Sequence, residues 1–226
     1  MDTQTHAKYE QLIERTRLLP AVPTVVVHPC DETSLLGAVE AAGLGIIIPI
    51  LVGPRRKIEA VAQKAGADIS GFRLVDSPHS HASASLAVEL IRAGEGALLM
   101  KGSLHTDELM HEVTSSATGL RTARRISHVF VMDVPTYAEP LFITDAAINI
   151  FPDLDTKVDI VQNAIELAQA IGVETPRVAV LSAVETVTSR LRSTLDAAAL
   201  CKMADRGQIT GALLDGPECL AAAVWQ

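Results

Sequence analysis

The sequence lacks any run of about 20 uninterrupted apolar residues, the length that a membrane-spanning helix needs. Its opening residues, Met1 to Lys8, are too polar for a secretory signal, so a soluble, cytoplasmic protein is the expectation. Cysteine is scarce. Cys30, Cys201 and Cys219 are too few and too scattered for a disulfide-stapled fold or a CxxC zinc site, and they fit a reducing compartment. Basic side chains are the minority, 19 against 27 acidic, and the formal charge of −8 repels polyanions. No basic patch strong enough to reverse that is visible, so no nucleic-acid partner is expected. Aromatic residues are rare at 3 %, but 48 % of the chain is apolar and 20 % charged, which argues against disorder and suffices for one large or two small globular cores.

Two nucleotide signatures are also missing. Gly94-Glu95-Gly96 precedes a strand where the dinucleotide fingerprint follows one, and no GxxxxGK[ST] loop exists. His79 and His81 are spaced wrongly for one helix face, with no further His or carboxylate placed to complete a ligand set, and no metal is expected.

What is present is alternation. Apolar runs of strand length alternate with stretches of helical period, the mark of an α/β fold with mainly parallel sheets. Strands are expected at Thr24 to His28, Ile46 to Val52, Phe72 to Val75 and Ala97 to Met100. Helices between and after them are expected at Glu32 to Ala42, Arg55 to Ala65, Ser80 to Ala93 and Thr106 to Thr114. The arginine-bearing stretch Ser115 to Ser127 shows little apolar periodicity and marks a junction, dividing a first α/β lobe (1–125) from a second (126–217). In the second lobe, strands are expected at Val129 to Val134, Leu141 to Asp145, Val178 to Leu181 and Gly211 to Leu214. A long helix carries Val161, Ala164, Ile165, Ala168 and Ile171 on one face, and a capping box of Ser193 and Asp196 opens a helix over Leu195 to Arg206. The Ala-rich tail, 218–226, with the lone Trp225, breaks this rhythm, and the chain reads as truncated at its C-terminus.

Strand-to-helix junctions of a parallel sheet collect at one edge, where helix N-termini offer N–H groups to an anion. The junction after the fourth strand is chemically richest: Lys101, Gly102, Ser103, His105 and Thr106 place a cation, a flexible residue, hydroxyls and an imidazole within six positions. It reads as a phosphate or acyl-phosphate cradle, with an ordinary polar helix cap as the plain alternative. Arg121, Arg124 and Arg125 offer charge-assisted bonds to phosphates of a nucleotide-like cofactor, or form a solvated basic face. Arg55, Arg56 and Lys57 read as solvated. Cys30 is a candidate acyl-thioester nucleophile, but Asp31 beside it raises the thiol pKa, which favours a structural cysteine.

In order and spacing, these segments resemble the phosphate acetyl/butyryltransferase family. The likeness runs from about Tyr9 to Pro217 and is carried by Ile48-Pro49-Ile50-Leu51-Val52-Gly53-Pro54, Leu99-Met100-Lys101-Gly102 with His105-Thr106, and Gly119-Leu120-Arg121 leading to Ser127-His128-Val129. It continues through Thr144-Asp145-Ala146-Ala147-Ile148-Asn149, Val180-Leu181-Ser182, Ser193-Thr194-Leu195-Asp196-Ala197-Ala198 and Gly211 to Pro217. The chain is similar to the shorter, butyryltransferase-like branch, which also forms the C-terminal part of bifunctional enoyl-CoA hydratase proteins.

The resemblance implies reversible acyl transfer between coenzyme A and inorganic phosphate, with acyl-CoA, phosphate and acyl phosphate as partners and no cofactor beyond coenzyme A as substrate. It implies two α/β/α lobes similar to isocitrate and isopropylmalate dehydrogenases, and a homodimer is the usual prior for such a fold. Lys101, the Gly102 N–H and the hydroxyls of Ser103 and Thr106 are expected to hold phosphate and oxyanion charge, with Asp145, Asn149 and Ser182 facing them from the second lobe. The family's Ser-Arg pair and aspartate base belong to a segment beyond Pro217 that has no counterpart here, and Ser189-Arg190 lies too early to stand in for it. The catalytic residues are therefore left unassigned, and a coenzyme A- or acyl-phosphate-binding module without turnover is the alternative. A dehydrogenase relative is disfavoured by the missing nicotinamide and metal signatures.

Overall fold

A computed structural model describes residues 7–219. The chain divides into two compact units, one of residues 10–122 and one in which residues 123–219 are joined by residues 7–9. The tail from residue 220 on, including Trp225, lies outside the described residues. Among the described residues, no helix is long and apolar enough to cross a membrane.

The first unit is built on a parallel sheet of β1 (Val22–Val27), β2 (Ile47–Gly53), β3 (Arg73–Asp76) and β4 (Leu98–Lys101), in the order β3-β2-β1-β4. Val25, Val26, Val27, Leu51 and Val52 are wholly buried because helices cover both faces of the central strands. Side chains alternate across a strand, so Val25, Val27, Ile50 and Val52 pack on Ala84, Ala87 and Leu90 of α4 (Ser80–Arg92) and Leu109 of α5 (Thr106–Thr114). Val26 and Leu51 face the other way, against Leu35 and Ala38 of α2 (Glu32–Gly43) and Ile58 and Ala62 of α3 (Arg55–Ala65). The α3 bounds are those read from its apolar spacing, and Gly66 ends it at φ 65, a conformation that glycine adopts without strain.

The second unit holds an antiparallel pair, β5 (Val129–Met132) with β6 (Leu141–Thr144), and a parallel pair, β7 (Arg177–Leu181) with β8 (Leu213–Glu218). Its core joins Val161 and Ile165 of α6 (Leu154–Ala170) to Leu200 of α7 (Arg192–Asp205) and to Ile209.

Two expectations need correction, and one helix is new. The Ser193–Asp196 capping box does not form: α7 starts at Arg192 with Leu191 as N-cap, and Asp196 is held instead by Lys157 Nζ at 2.6 Å. The last strand runs on through Asp215-Gly216-Pro217 to Glu218. Helix α1 (Ala7–Thr16) was not foreseen; it buries none of its residues, so no core stripe announces it.

Candidate functional site

A ligand crevice in a parallel sheet opens where the strand order changes direction. In the first unit that point lies between β1 and β4, since β2 and β3 follow on one side of β1 and β4 lies on the other. Val27 is the register partner of Lys101, which brings the junctions His28 to Asp31 and Lys101 to Thr106 side by side.

The turn after β4 is fastened to the end of β1. The Gly102 N–H donates to the Val27 carbonyl at 2.8 Å, and the Ser103 N–H to the His28 carbonyl at 3.0 Å. The Ser103 hydroxyl donates to the same His28 carbonyl at 2.8 Å, and its oxygen accepts the Cys30 N–H at 3.2 Å. A Cβ at Gly102 would stand 2.6 Å from the His28 oxygen and closer still to that of Val27, so the approach needs glycine. The Gly102 N–H and the Ser103 hydroxyl, both expected to bind an anion, are thus engaged in holding the turn.

Other donors remain at this junction. Among the described residues Lys101 Nζ contacts one acceptor, the Gly102 carbonyl at 3.2 Å, and an ammonium has three protons to give. His105 is the N-cap of α5 but makes no side-chain cap bond, which leaves first-turn N–H groups and the exposed Thr106 hydroxyl for another acceptor. Asp107 and Glu108 in that turn temper its positive end. At α3 the corresponding seat is filled: Asp76 Oδ1 accepts the Arg55 N–H at 2.8 Å. His79 caps α4, its Nδ1 accepting the Ala82 N–H at 3.3 Å.

His28 was not singled out from the sequence. Its φ is 57, a left-handed conformation that costs a non-glycine residue roughly 1–2 kcal/mol. The side chain is 8 % exposed, and Nδ1 lies 3.0 Å from Ser83 Oγ. That hydroxyl contacts Ser77 Oγ at 2.7 Å and donates to the His79 carbonyl at 2.9 Å. Burial lowers the His28 pKa, Lys57 and His79 lower it further, and Glu108 works against them. The His-Pro dipeptide gave no sign of this conformation, because a residue before proline ordinarily stays extended.

Burial also pushes the Cys30 thiol up, and Asp31 adds to this against the pull of Lys57, in keeping with a structural cysteine. Asp31 itself caps α2, accepting Ser34 Oγ at 2.6 Å and the Ser34 N–H at 2.8 Å.

In the second unit, Asp145 and Asn149 are brought together. Burial works to raise the Asp145 pKa, but N–H donors from Ala147, Ile148 and both the side chain and backbone of Asn149 hold it at about 2. Its Oδ1 also faces the His128 N–H at 3.3 Å. A carboxylate so fully bonded stays ionised at neutral pH and serves as a turn-forming acceptor rather than as a proton acceptor. Asn149 Nδ2 also reaches the Ile126 carbonyl at 3.0 Å. Ser182 follows β7, with its hydroxyl 2.8 Å from Ser193 Oγ. Arg124 pairs with Glu166 at 2.6 Å, whereas the exposed Arg121 has no hydrogen-bond or ion-pair partner among the described residues.

Residues 80–226 match the family described as phosphate acetyl/butaryl transferase. The chain is 64 % identical over 220 residues to a phosphate acetyltransferase of Rhizobium meliloti, covering 97 % of this chain and 70 % of that protein. It is 38 % identical to a phosphate butyryltransferase of Clostridium acetobutylicum, covering 96 % of this chain and 72 % of the other. Of a rickettsial phosphate acetyltransferase, from Rickettsia prowazekii, it spans 59 % of the length. Among solved structures, a branched-chain phosphotransacylase from Enterococcus faecalis V583 superposes with a TM-score of 0.70 at 26 % identity, covering 88 % of this chain and 69 % of that one. Nothing in these likenesses favours a binding module without turnover.

Proposed function

Since the chain belongs to the phosphate acetyl/butyryltransferase family, we propose that it transfers a short acyl group reversibly between coenzyme A and inorganic phosphate. A phosphate oxygen attacks the thioester carbonyl, the C–S bond breaks, and acyl phosphate leaves with coenzyme A as the second product. The thiolate takes up a proton after release. The observation that carries the reading is the β1/β4 switch point, where Lys101 and the start of α5 offer donors not engaged in fastening the turn.

In this reading, Lys101, Thr106 and the first-turn N–H groups of α5 hold phosphate and stabilise oxyanion charge by charge-assisted bonds. Gly102 and Ser103 shape the turn, and His105 borders it. Arg121 takes a coenzyme A phosphate, with Arg124 beside it in sequence held by Glu166. Asp145, Asn149 and Ser182 belong to the second unit, where Asp145 and Asn149 bond to each other and Ser182 to Ser193. Each unit taken by itself is akin to a lobe of the isocitrate and isopropylmalate dehydrogenases. Coenzyme A is a substrate and no other cofactor takes part. The protein works in the cytoplasm as a homodimer.

The test is coenzyme A release from acetyl-CoA, followed by loss of thioester absorbance with and without inorganic phosphate. Release that rises and saturates with phosphate is expected. Release at the same slow rate without phosphate, by a folded protein, rejects the reading.

A further inference from the structure

Along a strand, the N–H and C=O of one residue point to the same neighbour. His28 departs from this. Its N–H stays in the ladder with β2, donating to the Val52 carbonyl at 2.7 Å, while its own carbonyl turns to the opposite side and accepts from Ser103 of the β4 turn. The left-handed backbone at φ 57 makes this crossing over possible. Three donors converge on that carbonyl: the N–H groups of Cys30 and Ser103, and the Ser103 hydroxyl.

The side chain holds the backbone there. The hydroxyls of Ser77 and Ser83 carry one proton each, and Ser83 donates to the His79 carbonyl. Ser77 then donates to Ser83 Oγ, and Nδ1–H of His28 donates to the same oxygen, which gives both hydroxyl protons and the Nδ1 proton an acceptor. The opposite tautomer leaves an Nε2–H for which no partner exists among the described residues. Charged and titratable groups facing the ring come from three other elements: Lys57 of α3, Glu108 of α5, and His79 before α4. A neutral ring suits its 8 % exposure.

We propose that His28 is a positioning residue for the anion seat at the β1/β4 switch point, its Ser83-anchored imidazole holding a left-handed backbone whose carbonyl fixes the turn from which Lys101 and α5 reach phosphate. The inference rests on the phosphate acyltransferase reading for its ligand, but not for its geometry.

Asparagine separates the possible roles, because it tolerates the left-handed region and carries a side-chain N–H where Nδ1–H lies, without an Nε2. With acetyl-CoA saturating, His28→Ala is expected to raise KM for phosphate about tenfold while kcat changes less than about threefold, and His28→Asn to stay within about threefold of wild type in both. Ser83→Ala, which removes the anchor together with its bonds to Ser77 and the His79 carbonyl, should raise KM about threefold. Amide hydrogen exchange reads the geometry without turnover. Protection at Cys30 and Ser103 should fall about tenfold in His28→Ala and be kept in His28→Asn. Unchanged KM and protection in a folded His28→Ala, or an equal fall in kcat for the alanine and asparagine variants, overturns the proposal. An inactive wild type with the expected exchange pattern defeats the acyltransferase reading and leaves the positioning intact.

Discussion

Arg55 and Asp76 close the N-terminus of α3: the Arg55 N–H donates to Asp76 Oδ1 at 2.8 Å, and the Arg55 guanidinium reaches the Leu74 carbonyl at 3.2 Å. The positive end of that helix is answered from within the fold by the strand next to it. At α5, His105 gives no such bond, so the two helix starts on the same sheet edge differ in what they leave for a ligand. In the proposed reading, this contrast favours phosphate at the β4 junction over α3.

Asp76→Ala removes a cap and should lower unfolding free energy by about 1 kcal/mol, as loss of a helix cap generally does. KM for phosphate should not move. Urea unfolding and steady-state kinetics on the same sample check both, and a raised KM at unchanged fold would place the anion at α3 instead.

Lys101→Met should act in the opposite sense. Among the described residues the ammonium has one hydrogen bond, to the carbonyl of the adjacent Gly102, and a through-space pull on Asp31, so its loss leaves the fold nearly untouched. A charge-assisted bond to phosphate is worth roughly 1.5–3 kcal/mol, which corresponds to about a 10- to 150-fold rise in KM for phosphate. An unchanged KM with an unchanged melting temperature rules out the lysine as a phosphate ligand.

Much of this arrangement was legible in the sequence. The buried strands announced themselves as unbroken apolar runs, and α3 by Ile58, Val61, Ala62 and Ala65, because burial on a sheet imposes that period. The richest junction was found by residue type. What the sequence did not reveal was which polar groups the fold itself would use. Ser103 and the Gly102 N–H look like ligand donors until the register of β1 against β4 places carbonyls over them. Asp145 looks like a residue facing the substrate until the N–H groups of the next residues curl back on it. The hidden role of His28 has the same origin, since its anchor Ser83 lies 55 positions away.

Gly102→Ala tests the closeness of that register. The added methyl would collide with the carbonyls of Val27 and His28, and both belong to the central strand or its end, where backbone gives least. A loss of about 2–4 kcal/mol in stability is expected, in the range of overpacking with backbone strain. Phosphate-dependent turnover should fall with it even where the variant stays folded. A variant as stable and active as wild type would show that the two junctions are not in contact.

Asp145 gives a pH signature. Its folded pKa of about 2 lies below the ordinary 3.8, so its bonds stabilise the folded state fully above pH 4. That contribution fades as pH falls from there through about 2, as protonation removes the charged acceptor. For this partly exposed group, screening by solvent reduces the gain to on the order of 1–2 kcal/mol. The stability gap between wild type and Asp145→Asn, measured by urea unfolding, should be full at pH 7 and shrink between pH 4 and pH 2. A gap constant across that range would mean the carboxylate is not the acceptor described here.

Cys30 decides between two chemistries. An acyl-enzyme route needs a thiolate, and at this junction the thiol is half-buried with Asp31 next to it, both of which keep it protonated at neutral pH. The side chain instead packs with the α2 and α3 layer. Direct attack by phosphate requires no such nucleophile. Cys30→Ala should therefore keep kcat within about twofold and lose only a small packing contribution, on the order of 1 kcal/mol. Iodoacetamide should modify wild-type Cys30 slowly at pH 7, with a rate that climbs tenfold per pH unit well past pH 8, as for a thiol of raised pKa. Initial-rate patterns should intersect rather than run parallel, because both substrates must be bound before the acyl group moves. Parallel lines together with an inactive Cys30→Ala would instead establish a thioester intermediate on this residue.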